Sequence, residues 1–333
     1  MTVKKLLAFG LSLVLLLGLM GCGETTSGAS TTGTGAQKTL KIGIIQIVEH
    51  PALDAARLGF LQTLKENGYV EGKNLTVDYQ NAQGDQSVLQ SIAQKFASEK
   101  LDLVLAIATP SAQAMASASK DIPILITAVT DPVQAKLVNS LDKPGKNVSG
   151  TTDMNPIQQQ FELMKKLVPS VKKVGIIYNA GEVNSQVQVA LAKKVAANLG
   201  LEIVEATVTT SADVLQATQS LVGKVDTIYV PTDNMVVSAA QSVIQVADKN
   251  KIPVISGESS VVDKGALATI GINYKKLGQQ TGEMALRIFK GGKPQDMPIE
   301  AQKEFDTVLN KSTVNLLGLT VPADIQKKAT FVQ

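Results

Sequence analysis

Tryptophan is absent from this 333-residue chain, cysteine and histidine occur once each, and arginine occurs only at Arg57 and Arg287. Each scarcity excludes something. A single cysteine, Cys22, makes neither an intrachain disulfide nor a thiolate metal cluster. One histidine, His50, leaves no zinc ligand set in the folded body, and a His-dependent triad would need that residue as its base. There is no G-x-S-x-G elbow. Neither GIIYNAG nor GALATIG forms the G-x-G-x-x-G turn that cradles a dinucleotide phosphate. Aromatic residues make up 4%, few for a surface that stacks on sugars. The net charge of +3 includes Lys4 and Lys5, and no basic stripe with interleaved aromatics follows, so nucleic acid is not an indicated partner. Carboxylate pairs of the kind that hydrolyse glycosides can arise in any cleft, yet nothing singles one out. The reading is a binding protein rather than an enzyme, with no cofactor and no metal.

What is present begins with an export signal. Lys4 and Lys5 precede the apolar run Leu6 to Met20, 15 residues long. That is short for a spanning helix, which needs about 20, and suits a signal peptide. Leu19-Met20-Gly21-Cys22 resembles a lipobox, with Met20 a slightly unusual choice. Residues 1–21 are therefore read as signal peptide and Cys22 as the lipidated residue. Residues 22–39 form a flexible tether: Gly23 to Thr39 is Gly/Ser/Thr-rich and lacks apolar periodicity. As a coil it spans roughly 20–25 Å. The expected location is the extracytoplasmic side of the cell membrane, held by lipid.

The folded body is organised around KIGIIQIVEHPALDAARLGF, Lys41 to Phe60. An apolar run stops at Glu49-His50-Pro51, and Leu53, Ala56, Phe60, Leu61 and Leu64 then recur at helical spacing. This is a buried strand, a sharp loop and a helix, the opening unit of a parallel α/β sheet. A second cycle starts at KVGIIYN, Lys173 to Asn179. Asp102 and Asp226 open corresponding apolar strands, and Ile122-Pro123 and Ile252-Pro253 open the next pair. The chain is also longer than one ordinary core. Two lobes of one design are expected, with a strand and a short helix in the tail from Thr307.

In parallel sheets ligands bind beyond the carboxyl ends of the strands. The polar loops there hold Glu49-His50, Thr109-Pro110-Ser111, Thr130-Asp131, Asn179, Glu182 to Ser185, Thr232 to Asn234, Ser256 to Glu258 and Asn273-Tyr274. The set is rich in carboxylates, hydroxyls and amides, while both arginines lie inside helices. It suits a cation or zwitterion better than a phosphate. Asp233 and Glu49, with Glu182 behind, are candidates for an ammonium. Thr109 with Ser111, and Asn184 with Ser185, read as residues preceding helices and so as candidates for a carboxylate. Plainer roles remain open: Asp233, Thr109, Asn184 and Ser185 as helix caps, Asp131 as a turn residue, Asp153 as part of a crossing between lobes, His50 as a loop residue, Tyr178, Tyr229 and Met284 as core.

IVEHPALDAARLGF, YQNAQGD, IATPSAQA, VTDP, IIYNAGEVNSQ, YVPTDN and GALATIGINYKKLGQQTGEMA, in that order, resemble the ABC-transporter substrate-binding lipoproteins of the tryptophan/tyrosine-binding type. The resemblance covers about residues 40 to 320. It implies a type I periplasmic-binding fold: two Rossmann-like lobes with parallel sheets, joined by a multi-segment hinge. Lobe one would take 40–150 plus about 277–305, and lobe two 151–276 plus about 306–333. It further implies a monomer that captures an amino acid, usually aromatic, and passes it to an ABC permease. Glu49, His50, Thr109, Ser111, Tyr178, Asn179, Asn184, Ser185, Asp233, Asn234 and Asn273 would line the site. Two other readings stay open: a receptor of the same fold for another small solute, and a surface adhesin or sensor in which ligand is secondary.

Overall fold

A computed structural model describes residues 39–333. The export signal, Cys22 and nearly all of the tether lie outside the described residues. The chain opens with β1 (Leu40–Gln46), α1 (Pro51–Glu66), β2 (Leu75–Asn81), α2 (Gln86–Ser98), β3 (Leu103–Ile107), α3 (Thr109–Ala118), β4 (Ile124–Val129) and β5 (Val148–Thr152). It then repeats the plan. α4 (Ile157–Leu167) leads into β6 (Lys173–Asn179), α5 (Val183–Asn198), β7 (Glu202–Val208), α6 (Val214–Leu221), β8 (Thr227–Val230), α7 (Asn234–Ser238), α8 (Ala240–Asn250), β9 (Val254–Ser256), α9 (Ser259–Asp263) and β10 (Ala268–Gly271).

The first five strands are ordered β2-β1-β3-β4-β5, all parallel, and the second five β7-β6-β8-β9-β10, also parallel. The two windings are the same. Their shared residues have shared causes. A Cβ on Gly43 of β1 would lie 2.9 Å from the Phe96 ring of α2, and one on Gly175 of β6 would lie 2.7 Å from Leu221 of α6. Each glycine lets a helix seat on its central strand. Asp102 accepts the Lys41 N–H at 2.8 Å, while Asp226 accepts the Lys172 and Lys173 N–H groups at 2.8 Å each. Both aspartates fasten the start of the central strand to its neighbour.

The chain passes between the sheets three times: after β5, after β10, and between β11 (Glu300–Ala301) and β12 (Asp306–Asn310). After the second passage, α10 (Tyr274–Phe289) packs against α1 of the first sheet. Gly278 makes this contact possible, because a Cβ there would come within 1.9 Å of the Ala56 carbonyl oxygen. β11 then edges the first sheet, and β12 runs antiparallel to β10 in the second. The tail is richer than the expected strand and short helix. Asn310 caps α11 (Lys311–Leu316) by accepting from Thr313 N, so the strand ends there; α12 (Ala323–Gln326) and β13 (Thr330–Val332) follow. The fold is thus two α/β lobes of mainly parallel strands, joined by three segments.

Candidate functional site

Each winding reverses direction once, between β1 and β3 in the first sheet and between β6 and β8 in the second. Such reversals open a crevice at the carboxyl ends of the two strands. Four helix N-termini stand there: α1 behind His50, α3 at Thr109, α5 behind Glu182 and α7 behind Asp233. A narrow cavity is lined from both windings and the passages between them, by His50, Leu53, Ala128, Thr130, Asp153, Asn184, Thr232, Asn234, Val237, Glu258 and Tyr274. Only about 10 Å³ of it admits the centre of a water molecule. A larger groove of about 570 Å³ lies at the opposite end of the first sheet, beside Lys120, Lys136 and Lys146.

Unpartnered polar atoms decide between the two. A buried polar group without a hydrogen bond costs on the order of 1–3 kcal/mol. Among the described residues, eight buried side-chain atoms are in that condition, and six of them belong to His50, Thr109, Ser111, Asp153, Glu182 and Asn184. None belongs to a residue of the larger groove. The cost is concentrated where the two windings meet. Backbone strain falls there too: Ala108 (φ 74°) precedes α3, and Ala128 (φ 55°) lies in the cavity wall, where the β4–β5 register shifts. Left-handed alanine costs about 1–2 kcal/mol.

The cavity wall contains carboxylates but no arginine or lysine. Asp153 accepts the Tyr274 hydroxyl at 2.6 Å through Oδ2 and leaves Oδ1 unpartnered. Burial raises its pKa, against the opposing hydrogen bonds of Tyr274 and Thr130. Burial likewise raises that of Glu258, which accepts from Ser260. Behind the wall, Glu182 accepts from the Asn184 and Asn234 amides. Its pKa is pushed up to about 8 by burial and then by the charge of Asp233. Burial drives His50 down to about 3, helped by the nearby charge of Lys264 and opposed by a hydrogen bond with Asn234. His50 is therefore neutral at ordinary pH. Among the described residues no group of three or more His, Cys, Asp or Glu is placed to hold a metal ion.

The structure gathers His50, Asn184 and Asn234 into the cavity wall. It leaves Thr109 and Ser111 buried at the mouth of α3 with free hydroxyls. Ala108, not Thr109, occupies the N-cap position, so Thr109 and Ser111 are the first and third helical residues. Asn184 and Ser185 likewise lie inside the first turn of α5, since Glu182 takes the cap position.

Other residues go elsewhere. Glu49 is exposed and accepts from the Tyr79 hydroxyl at 3.3 Å, because the loop turns its side chain toward β2. Asp233 is fully buried, but its carboxylate is committed: it accepts from Asn179 N and Ser185 Oγ at 2.6 Å each and from Val236 N at 2.9 Å. It is the cap of α7, and Ser185 serves it. The Asn179 side chain accepts from Gly181 N in its own turn. Tyr178 donates to Glu205 on β7 at 2.7 Å. Asn273 caps α10 and donates to Asp306. Tyr229 and Met284 are core, and Asp131 is a turn residue that accepts from Val133 N and Gln134 N. Asp153 does two things, since it lies in the first passage and also lines the cavity. Thr130, Thr232, Glu258 and Tyr274 belonged to the strand-end loops, and no sequence signal separated them from their neighbours. The apolar Leu53 and Val237 gave only core signals.

A two-lobed solute receptor of the type I periplasmic-binding fold is the class that this topology and enclosed interlobe cavity define. The family described as ABC transporter substrate binding protein matches residues 41–333, and the chain belongs to it. A tyrosine-binding protein of Clostridioides difficile (strain R20291) is 48% identical over 320 residues, 95% of this chain and 93% of that one. A crystal structure of an ABC domain from Streptococcus pneumonia in complex with L-Trp shares 38% identity, with a TM-score of 0.86 over 89% of this chain and 100% of that chain. A ligand-free, open substrate-binding protein with adhesive properties from Clostridium difficile shares 51% identity, with a TM-score of only 0.68 over 88% of this chain and 99% of that chain. The more similar sequence superposes less well. This structure superposes better on the L-Trp complex than on the ligand-free, open one.

Proposed function

We propose that this protein is a lipid-anchored receptor on the extracytoplasmic side of the membrane that captures an aromatic α-amino acid and delivers it to an ABC permease. The observation that carries the reading is the set of buried, unpartnered polar atoms at the strand-end loops and the first passage, with those of His50, Asp153 and Asn184 belonging to residues of the interlobe cavity wall. They divide by chemistry. Thr109 and Ser111 offer hydroxyls at the N-terminus of α3, whose first-turn N–H groups have no intrahelical acceptor. That end suits an α-carboxylate. Asp153 Oδ1 and Asn184 Oδ1 are acceptors and suit the α-ammonium. Leu53, Ala128 and Val237 leave an apolar wall for a side chain.

Thr109 belongs to the first winding, Asn184 to the second and Asp153 to a passage between them. A ligand that touches all three favours the closed state, and only that differential affinity moves the equilibrium. Admission requires opening, because the narrow cavity has no free volume for a ring. The tyrosine and L-Trp named for the two relatives support an aromatic ligand here. The test is a thermal-shift panel of the 20 L-amino acids with sugars and nucleosides. Ligand at 1,000 times Kd stabilises by about 4 kcal/mol, a shift of several degrees. Tyrosine or tryptophan should shift melting most, and a sugar or nucleoside doing so instead would overturn the reading. The adhesive properties of the open relative favour one second reading, surface adhesion. Cell attachment that is unchanged when the cavity is filled would support it.

A further inference from the structure

Of the wall residues with an unpartnered side-chain atom, His50 is the one whose chemistry the α-amino and α-carboxyl groups leave unused. It is 8% exposed, lines the cavity, and its Nδ1 has no partner. Its hydrogen bond is with Asn234, across the interface between the windings. The Asn234 amide nitrogen already donates to Glu182. The bond with His50 raises the pKa of the imidazole, so the imidazole is its donor and the Asn234 carbonyl oxygen its acceptor; because Nδ1 is unpartnered, the donor is Nε2–H. That fixes the tautomer and leaves Nδ1 as a bare acceptor.

We propose that His50 is a specificity-determining residue: its Nδ1 accepts a hydrogen bond from an N–H or O–H group on the ligand's side chain, selecting a phenol or an indole over a phenyl ring. This rests on the amino-acid reading above and deepens it. Two observations place this acceptor at the side-chain end. A positive ammonium is better matched by Asp153, a carboxyl group with a free oxygen, than by a neutral imidazole. His50 also adjoins the apolar part of the wall, with Leu53 one turn into the helix it precedes and Val237 on the facing helix that begins at Asn234. The burial that keeps the imidazole uncharged keeps Nδ1 an acceptor across the ordinary pH range. A site built to hydrogen-bond a ligand donor rejects the analogue that lacks it, since the buried partner is left unpaired.

The test is titration calorimetry of the purified protein and of His50→Leu with L-tyrosine, L-tryptophan and L-phenylalanine. His50 caps α1 without a side-chain hydrogen bond, so leucine removes no cap. Wild type should bind tyrosine or tryptophan at least about 10-fold more tightly than phenylalanine. His50→Leu should lose that preference, with phenylalanine affinity unchanged or improved. If His50→Leu does not fold, His50→Gln retains an acceptor and should preserve the order of preference. Equal wild-type affinity for tyrosine, tryptophan and phenylalanine would overturn the inference and leave the amino-acid reading standing. So would a His50→Leu variant that loses phenylalanine as strongly as tyrosine, which would assign Nδ1 to the ammonium. Failure of all three ligands to bind wild type would overturn the amino-acid reading itself, and this inference with it.

Discussion

Replacing Asp153 by asparagine should move stability and affinity in opposite directions. The carboxyl is 3% exposed, has no cationic partner, and holds one oxygen without a hydrogen bond. Asparagine keeps an acceptor for the Tyr274 hydroxyl and removes the charge. Relieving a buried, half-satisfied carboxylate is worth roughly 1–3 kcal/mol, or about 2–8 °C in melting temperature. The pH dependence follows from the direction of the shift. Burial raises the folded pKa above the unfolded value, which is about 3.9. Below that value both states are protonated and the carboxyl costs nothing. As pH rises toward the folded pKa, the unfolded chain gains by ionising and wild type loses stability. The advantage of Asp153→Asn should therefore be absent near pH 3.5 and grow above pH 4. Ligand affinity should fall by about 30- to 1,000-fold, corresponding to roughly 2–4 kcal/mol for removing one side of a buried charged hydrogen bond. Differential scanning calorimetry at two pH values and a titration with tyrosine read both effects. A variant that melts below wild type at pH 7.5, or that binds tyrosine unchanged, would refute the reasoning.

Glu49→Ala should leave affinity and melting within about 0.5 kcal/mol of wild type, because the side chain is exposed and turned toward Tyr79; a large loss of binding in a titration would return it to the site. Asp233→Ala should instead destabilise by roughly 2–5 kcal/mol, since a backbone cap, the Asn179 N–H and the Ser185 hydroxyl all lose their acceptor; urea unfolding measures it. Gly278→Ala must widen a 1.9 Å contact with the Ala56 carbonyl by about 1.5 Å to reach an ordinary C···O separation. The expected loss is roughly 1–3 kcal/mol or more, and Gly68→Ala, with open space around it, is the control that separates packing from backbone strain.

Much of the architecture was legible because its causes are local. Gly43 and Gly175 mark helix seats, Asp102 and Asp226 fasten strand starts, and the apolar runs of β1 and β3 announce strands covered on both faces. The position of the cavity was legible too, since polar loops follow the strands at both reversals. Which side chains line it was not. Glu49 and His50 are adjacent in sequence, yet one is exposed and the other buried. Asp233 and Glu258 are both buried helix caps, and only Glu258 also reaches the cavity. A cap and a ligand contact need the same residue types, and only the direction of the side chain separates them. The lining by Asp153 and Tyr274 depends on two chain passages meeting, a contact 121 residues apart in sequence.

The most direct test of the interlobe site is a calorimetric titration of the purified protein with L-tyrosine and with its two trimmed analogues, tyramine and 3-(4-hydroxyphenyl)propionate. One lacks the carboxylate assigned to Thr109 and Ser111, and the other lacks the ammonium assigned to Asp153 and Asn184. Tyrosine should bind with one site per chain and a negative heat-capacity change, and each analogue should bind at least about 100-fold more weakly. Analogues that bind as tightly as tyrosine would contradict the account, because the buried polar atoms that define the site would then not be reading an amino acid.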